Sequence, residues 1–441
     1  RKIISGTLAL VLIAAWGISL IQINDNPIKW FTASHPIRVA DKVLNEHFGG
    51  TYMAYLQFEQ APNSESVETY AQSLKQRLQV RKTQSVDNRF LFVDKVFGQA
   101  ISKIESELPT AKSKDRLLSE LISMAQTSLD NAPDDEYDTW DELLLFFDEE
   151  RQRKEIFKQP EVLTYLDKLQ QHLLETRIVG KSNSVVDVVK TVHRELLLGE
   201  DEAFRIPDTA RAVAQTLITY QNSHRPPDLW HFVTPDYQKA VLWLQLTSGD
   251  NQDMETVINS VETFVANNPP PQALEPHWFG LTYINTVWQE KMVSGMLEAF
   301  AGSFLIVLLM MVFLFRSLLW GILAMIPLTV TVGLIYGIIG LTGKNYDMPV
   351  AVLSSLSLGL AVDYAIHFLA RAREARKNYG SWQETIPEMF GEPARAITRN
   401  AIILGAGFLP LLAAPLIPYK TVGVFIAAII VPAGIASLLV L

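Results

Sequence analysis

Six stretches of this chain stay apolar for about the thickness of a bilayer, and nothing else in the sequence limits the fold as strongly. A hydrocarbon core about 30 Å thick takes roughly 20 residues of α-helix. Within it each segment must satisfy its own backbone polar groups, so such runs read as spanning helices. They are Ile3 to Ile21, about Leu297 to Phe315, about Leu318 to Gly340 with Pro327 inside, about Met348 to Ala370, about Ile397 to Ala414 with Pro410 inside, and about Thr421 to Leu441. The first run has a basic start, Arg1-Lys2. It is longer than the roughly 7–15 apolar residues of a signal peptide and no A-x-A site follows, so it reads as a retained helix. The chain has no initiator Met and stops while still apolar, which reads as a piece of a longer protein.

This division predicts three regions: 1–22, a first transmembrane helix; 23–293, a polar external domain; and 294–441, a five-helix transmembrane domain. The mean hydropathy of +0.14 averages over them. The net charge of −9 comes mostly from the polar block and argues against nucleic acid as a partner. With no cysteine there are no disulfides and no thiolate metal sites. Lys and Arg in short loops set the orientation. With Arg1 and Lys2 inside, the loop carrying Arg371, Arg373, Arg376, Lys377, Arg395 and Arg399 also falls inside, as does Arg316. The outer turns hold only Lys344 and Lys420. The expectation is a multi-pass protein of a bacterial inner membrane, with its large domain in the periplasm.

The polar block reads as mixed α/β. Thr51–Glu59 alternates and is rich in aromatics, a strand pattern, and Lys239–Ser248 and Trp278–Trp288 are further strand candidates. Helical spacing marks the segment from Ser66 to Gln79, Pro160–Thr176, Ser184–Leu197 and Asp253–Asn267, so the strand–helix pairs suggest βαβ-type units, with 99–221 mainly helical. Asn267–Gln272, "NNPPPQ", reads as a turn or rigid linker. The acidic run Asp134–Glu142 fits a solvated helix start better than a cation site, and His35 and His47 fit ordinary loop positions better than ligands. No His/Cys metal spacing, nucleophile elbow, Walker loop or Gly-rich dinucleotide turn occurs. No cofactor, metal or catalytic residue is expected, and the chain does not read as an enzyme.

The fourth apolar run contains the one feature that asks for a function. In "SLSLGLAVDYAIHFLARARE" (Ser355–Glu374), Asp363 lies about 22 Å from the outer helix end at 1.5 Å per residue, past the midplane. A carboxylate there costs at least about 3 kcal/mol, so it is expected to face the bundle interior and to serve as a proton carrier. Gly359 and His367, one turn to either side, share its face. Gly359 permits close helix contact, and His367 extends a proton path inward or serves as an interfacial structural residue. Tyr364 points about 100° away. A sodium site is the rival; Ser354, Ser355, Ser357 and Tyr364 are the oxygens near in sequence.

One helix, a large domain, then five helices with an acid in the fourth resembles half of a resistance–nodulation–division (RND) transporter. The branch it resembles contains the mycobacterial membrane protein large (MMPL) family and the hopanoid and sterol transporters. "GLAVDYAIHF" (Gly359–Phe368) looks like that branch's Gly-x-x-x-Asp-Tyr motif, and "FLFRSLLWGILAMIPL" (Phe313–Leu328) like its second-to-third helix turn. Pro160–Lys190 looks like the helix and Val-x-x-x-x-Ser element of its porter domain. The resemblance implies a proton-driven exporter of lipids or other hydrophobic molecules, with two such halves related by pseudo-symmetry. It implies a proton relay of Asp363 with Tyr364 as its hydrogen-bond partner. The implied partners are a hydrophobic substrate, a second half from the same chain or a second copy, and a periplasmic carrier protein. The five-helix unit also resembles the sterol-sensing domain, at the level of fold. The rival readings are a SecD/SecF-like protein-export auxiliary and a lipid-sensing membrane module that does not pump.

Overall fold

The computed structural model describes residues 2–61, 66–87, 90–111, 113–197 and 199–441. Arg1 lies outside the described residues, as do the side chains at 2–4, 87, 354, 355 and 361, those of Ser354 and Ser355 among them. The chain opens with the apolar helix α1 (Lys2–Ser19), followed by the short amphipathic α2 (Pro36–His47), whose N-terminus is capped by the His35 ring. His47 bonds back to the Val43 carbonyl at 2.9 Å, so both histidines have local structural roles.

A four-stranded antiparallel sheet organises the polar domain. Strand β1 (Tyr52–Gln60) is followed by four helices, α3 (Val67–Asp87), α4 (Val93–Glu107), α5 (Lys114–Asp130) and α6 (Asp134–Gln152). Next come α7 (Pro160–Glu175), β2 (Val179–Asn183), α8 (Val185–Leu196), α9 (Ala210–Gln221), β3 (Lys239–Leu246), α10 (Asn251–Asn267) and β4 (Leu274–Phe279). The spatial order β2-β3-β1-β4 places β3 between β1 and β2, and β1 between β3 and β4. The expected βαβ units are therefore split, each with a strand of the other inserted between its own two. Alternation decides the faces. Ala54, Leu56 and Phe58 of β1 and Ala240, Leu242, Leu244 and Leu246 of β3 turn inward, onto α7 and α10. Each fully buried Leu or Phe there contributes roughly 1.5–3 kcal/mol. The opposite face carries Tyr55 between Trp243 and Phe279, at ring distances of 5.4 and 5.1 Å.

Helices α3–α6 form a second core of their own around Leu74, Phe97, Leu121 and Phe147. The acidic run Asp134–Glu142 starts α6, and bases meet its charges: Lys95 pairs with Glu136, and Arg81 with Glu142 at 2.7 Å. Arg77 clamps the buried Glu150 of α6 with two hydrogen bonds, of 3.0 and 2.8 Å.

The strand expected over Trp278–Trp288 is only its first two residues. Gly280, at φ +99°, ends β4, and Leu281 already begins the helix α11 (Leu281–Phe315). Aromatic and β-branched residues gave this helix start a strand-like composition, but the glycine decides the boundary. Then follow α12 (Leu318–Thr342), α13 (Met348–Tyr379), α14 (Trp382–Met389), α15 (Glu392–Phe408) and α16 (Ile417–Val440). Among the described residues, five helical stretches are long and apolar enough to cross a membrane: Leu281–Phe315, Leu318–Thr342, Met348–Tyr379, Trp382–Ala413 and Ile417–Val440. Pro410 falls in the 3₁₀ turn that ends the fourth of these. The α1 helix is apolar but shorter.

Small residues let α1 lie directly on α12. A Cβ added to Gly340 would stand 1.7 Å from the Gly17 carbonyl oxygen, and one on Gly337 would stand 2.6 Å from the Ala14 Cα. Backbones can approach this closely only where side chains are missing. Gly340→Val is expected to cost about 1–3 kcal/mol by overpacking, read as a lower melting temperature in detergent. Gly333→Ala, which meets nothing within 4 Å, leaves it unchanged.

Candidate functional site

The helix carrying the acid is capped at its N-terminal end. Asp347 accepts the Val350 amide at 3.2 Å, and Pro349 occupies its first turn, where a missing N–H costs nothing. From there α13 packs against α11, α12 and α16 through Val350, Leu353, Leu358, Val362, Ala365, Phe368 and Leu369. These leave a stripe on the other side at spacings of three and four: Val352, Leu356, Gly359, Asp363, His367, Ala370, Arg371 and Glu374, all exposed.

Asp363 thus stands on the open face of the five-helix bundle, where sequence reasoning expected the bundle interior. The interior is filled largely by apolar side chains, and the helix turns Asp363 outward. Gly359 and His367 share that face, as their spacing required. A Cβ at Gly359 would meet nothing within 4 Å, so the glycine contacts no helix of this chain. Tyr364 turns the other way. It is 4% exposed within the bundle core, and its hydroxyl has no hydrogen-bond partner among the described residues. The structure brings Gly359, Asp363 and His367 onto one surface and does not join Tyr364 to them. Ser357 is 2% exposed and also off the Asp363 face, so it adds no oxygen beside the carboxyl.

Toward the C-terminal end of the same helix, Arg373 donates to the last carbonyl of α11, Phe315 O, at 2.7 Å, and covers the Trp320 ring. Arg376 covers Trp382, and the two tryptophans lie 6.0 Å apart. Arginine stacked on tryptophan at helix ends is the composition of a membrane–water boundary.

Near the N-terminal end of α13 the polar domain is tied to the bundle by a buried polar knot that sequence reasoning missed. Asn24, Asp25 and Asn26, just after α1, are 4 to 6% exposed. Asn24 Oδ1 accepts the Asn251 amide at the start of α10, and Asn26 Nδ2 donates to Asp250 at 2.9 Å. Lys29 pairs with Asp250. Burial opposes ionisation of Asp250, but Lys29 and Asn26 outweigh it and hold the carboxyl below its ordinary range. Asn285 of α11 donates to Asn251 Oδ1 at 3.1 Å and to the Asp25 carbonyl at 3.3 Å. Tyr346, just before α13, donates its amide to Gln22 O at 2.7 Å. The available signal was three polar residues directly after an apolar run, which reads as an ordinary loop. A further group, Glu59, Glu275 and His277, brings three ligand-capable side chains together on the exposed sheet face, where Lys239 pairs with Glu59 at 2.5 Å.

The MMPL family model matches residues 159–440, which is more than half of the chain and includes all of this acid-bearing bundle. The chain belongs to the MMPL family. Its relatives include an archaeal one, named membrane protein MJ1562 of Methanocaldococcus jannaschii, 27% identical over 168 residues. That match covers 38% of this chain and 43% of the relative. Another, named transport protein MmpL2 of Mycobacterium tuberculosis, is 21% identical over 208 residues, covering 46% of this chain and 22% of the relative. The chain therefore matches less than half the length of either. This MMPL-family chain is a membrane protein with an acid on a helix face left exposed among the described residues.

Because the Tyr364 hydroxyl is buried without a partner, removing it relieves a desolvation cost. Tyr364→Phe is expected to keep or raise the melting temperature in detergent. Tyr364→Ala, which opens a cavity, is expected to cost about 3–5 kcal/mol.

Proposed function

We propose that the chain is one half of a proton-driven RND-type exporter of lipids or other hydrophobic molecules in a bacterial inner membrane, with its polar domain as the periplasmic porter domain. The observation that carries this reading is the position of Asp363 on an exposed stripe at hydrocarbon depth. A charge there is too costly to leave against lipid. Gly359 beside it offers the flat contact a second bundle needs, so the second half covers the stripe and encloses the acid between the two. Of the oxygens near in sequence, Tyr364 and Ser357 lie off that face, and the side chains of Ser354 and Ser355 lie outside the described residues; a proton needs fewer ligands than sodium, and the reading takes the proton.

In this reading Asp363 takes a proton from the external side and becomes neutral. The interface between the halves then repacks, and release through His367 toward the inner surface restores the charge. Each proton crossing 100 mV supplies about 2.3 kcal/mol, enough to bias a two-state interface. The polar domain follows because β4 runs into α11 through Gly280 alone and because the Asn24–Asp25–Asn26 knot holds α10 to the bundle. Hydrophobic cargo and a periplasmic carrier protein are its partners.

The test is proton-driven movement of extracted envelope lipids in liposomes holding the full-length protein. Wild type moves lipid under an imposed proton gradient, and Asp363→Asn is expected to lose at least 10-fold while remaining folded, the loss of about 1.4 kcal/mol of coupling or more. Equal movement in both proteins sinks the proton-carrier role. A bound lipid with no gradient-dependent movement in either would instead identify a sensing module.

A further inference from the structure

A second acid of this molecule sits at the outer end of the same helix. Asp25 is 4% exposed and borders a small polar cavity of about 150 Å³, together with Asn24, Trp30, Lys344 and Asp347. The charged groups around it are already committed. From the loop before α13, Lys344 pairs with Asp347 at 2.6 Å. From the segment after α1, Lys29 pairs with Asp250 at the start of α10. The α11 helix offers the neutral Asn285 amide, and α16 contributes Ile417 and Pro418 to the cavity wall, without charge. The Asp25 carboxyl receives only neutral donors, the Trp30 indole N–H at 2.8 Å and the Met348 backbone N–H. Two carboxylates therefore share one cavity, and one of them has no cation of its own.

We propose that Asp25 is a proton-binding group at the joint between the polar domain and the membrane bundle, and that proton uptake there tightens the joint. A proton on Asp25 removes one of the two carboxylate charges bordering the cavity and lets the carboxyl face the Asp347 carboxylate without repulsion. Burial pushes the Asp25 carboxyl above the ordinary carboxylate range and the Asp347 charge adds to it; the Trp30 and Met348 hydrogen bonds and the Lys344 charge oppose this without cancelling it. The folded joint thus holds the proton more tightly than an unfolded chain does. It gains stability as pH falls from neutral through the Asp25 midpoint and loses it as pH rises. Asp250 has the opposite sign, its contribution being lost only on further acidification. The site goes beyond the transport reading: it needs neither cargo nor a gradient.

Trp30 is the reporter. The full-length protein is labelled with 5-fluorotryptophan in lipid nanodiscs, and the Trp30 signal is assigned by its loss in Trp30→Phe. Between pH 4 and 8 that signal is expected to titrate with a midpoint above about 4, the ordinary value for Asp. The titration is expected to vanish in Asp25→Asn. In Asp347→Asn, which keeps an N-cap and leaves Asp25 in place, the midpoint is expected to fall. Amide exchange of segments 22–30 and 344–350, corrected for its intrinsic pH dependence, slows as pH falls through the same midpoint. A Trp30 signal that does not titrate, titrates at an ordinary carboxylate midpoint or titrates unchanged in Asp25→Asn overturns the assignment. So does a midpoint that stays put in Asp347→Asn, or exchange that does not follow it. Because the readout is free of transport, a silent lipid assay leaves this result standing, and a flat titration leaves the lipid assay standing.

Discussion

A carboxyl group at hydrocarbon depth has to be enclosed by protein, and the arrangement of the membrane bundle turns on that one requirement. The five helices pack so that α13 gives its aliphatic side and Tyr364 to the core and turns Asp363 away from it. The exposed stripe differs in composition from the apolar face of α11. A lipid face is large and apolar throughout, as on α11, where Leu305, Leu309 and Phe313 stand out. The α13 stripe combines a glycine, an acid and a histidine in consecutive turns. Small and polar residues side by side are the composition of a helix interface inside a membrane.

The connections between the two parts of the molecule are short and few. Strand β4 becomes α11 across Gly280, which has a φ of +99°. A Cβ at that position would stand 2.6 Å from the Tyr55 ring, so backbone and space together leave no room for another residue type. At 35 residues, α11 is roughly 50 Å long and extends well beyond a 30 Å hydrocarbon layer. Its first turns are fixed to the sheet, where Thr282 donates to the Met53 carbonyl at 2.7 Å, and its later turns belong to the bundle. The polar knot around Asp25 adds a second tie, made of buried amides whose geometry allows little slack. A tilt of the sheet relative to the bundle bears on both of these places, and on the bridge between Phe31 and Leu416 at the start of α16.

Much of this was legible in the chain, for identifiable reasons. Long apolar runs announced the membrane helices, because hydrocarbon thickness is a fixed length. Alternation exposed β1 and β3. The spacing of Gly359, Asp363 and His367 fixed their common face. Other features were not legible. Strand β2, "VGKSN", is five residues long and largely polar, and it is a strand only because β3 pairs with it. The start of α11 has the composition of a strand until Gly280 is seen at positive φ. Sequence places Asp363 on a helix but not on a side of a bundle, since that depends on which neighbours fill the core. The knot at 24–26 was hidden because its partners, Asp250, Asn251 and Asn285, lie more than two hundred residues away in the chain.

The claim that the Asp363 stripe is covered by protein in the working molecule has a direct test. Nitroxide labels placed one at a time at Leu356, His367 and Phe313 of the full-length protein in liposomes report collision with oxygen, which concentrates in lipid. Phe313, 86% exposed on α11, serves as the lipid-facing reference. The account predicts high oxygen accessibility at Phe313 and values several-fold lower at Leu356 and His367. Accessibility at Leu356 and His367 equal to that at Phe313 would contradict it and leave Asp363 facing lipid.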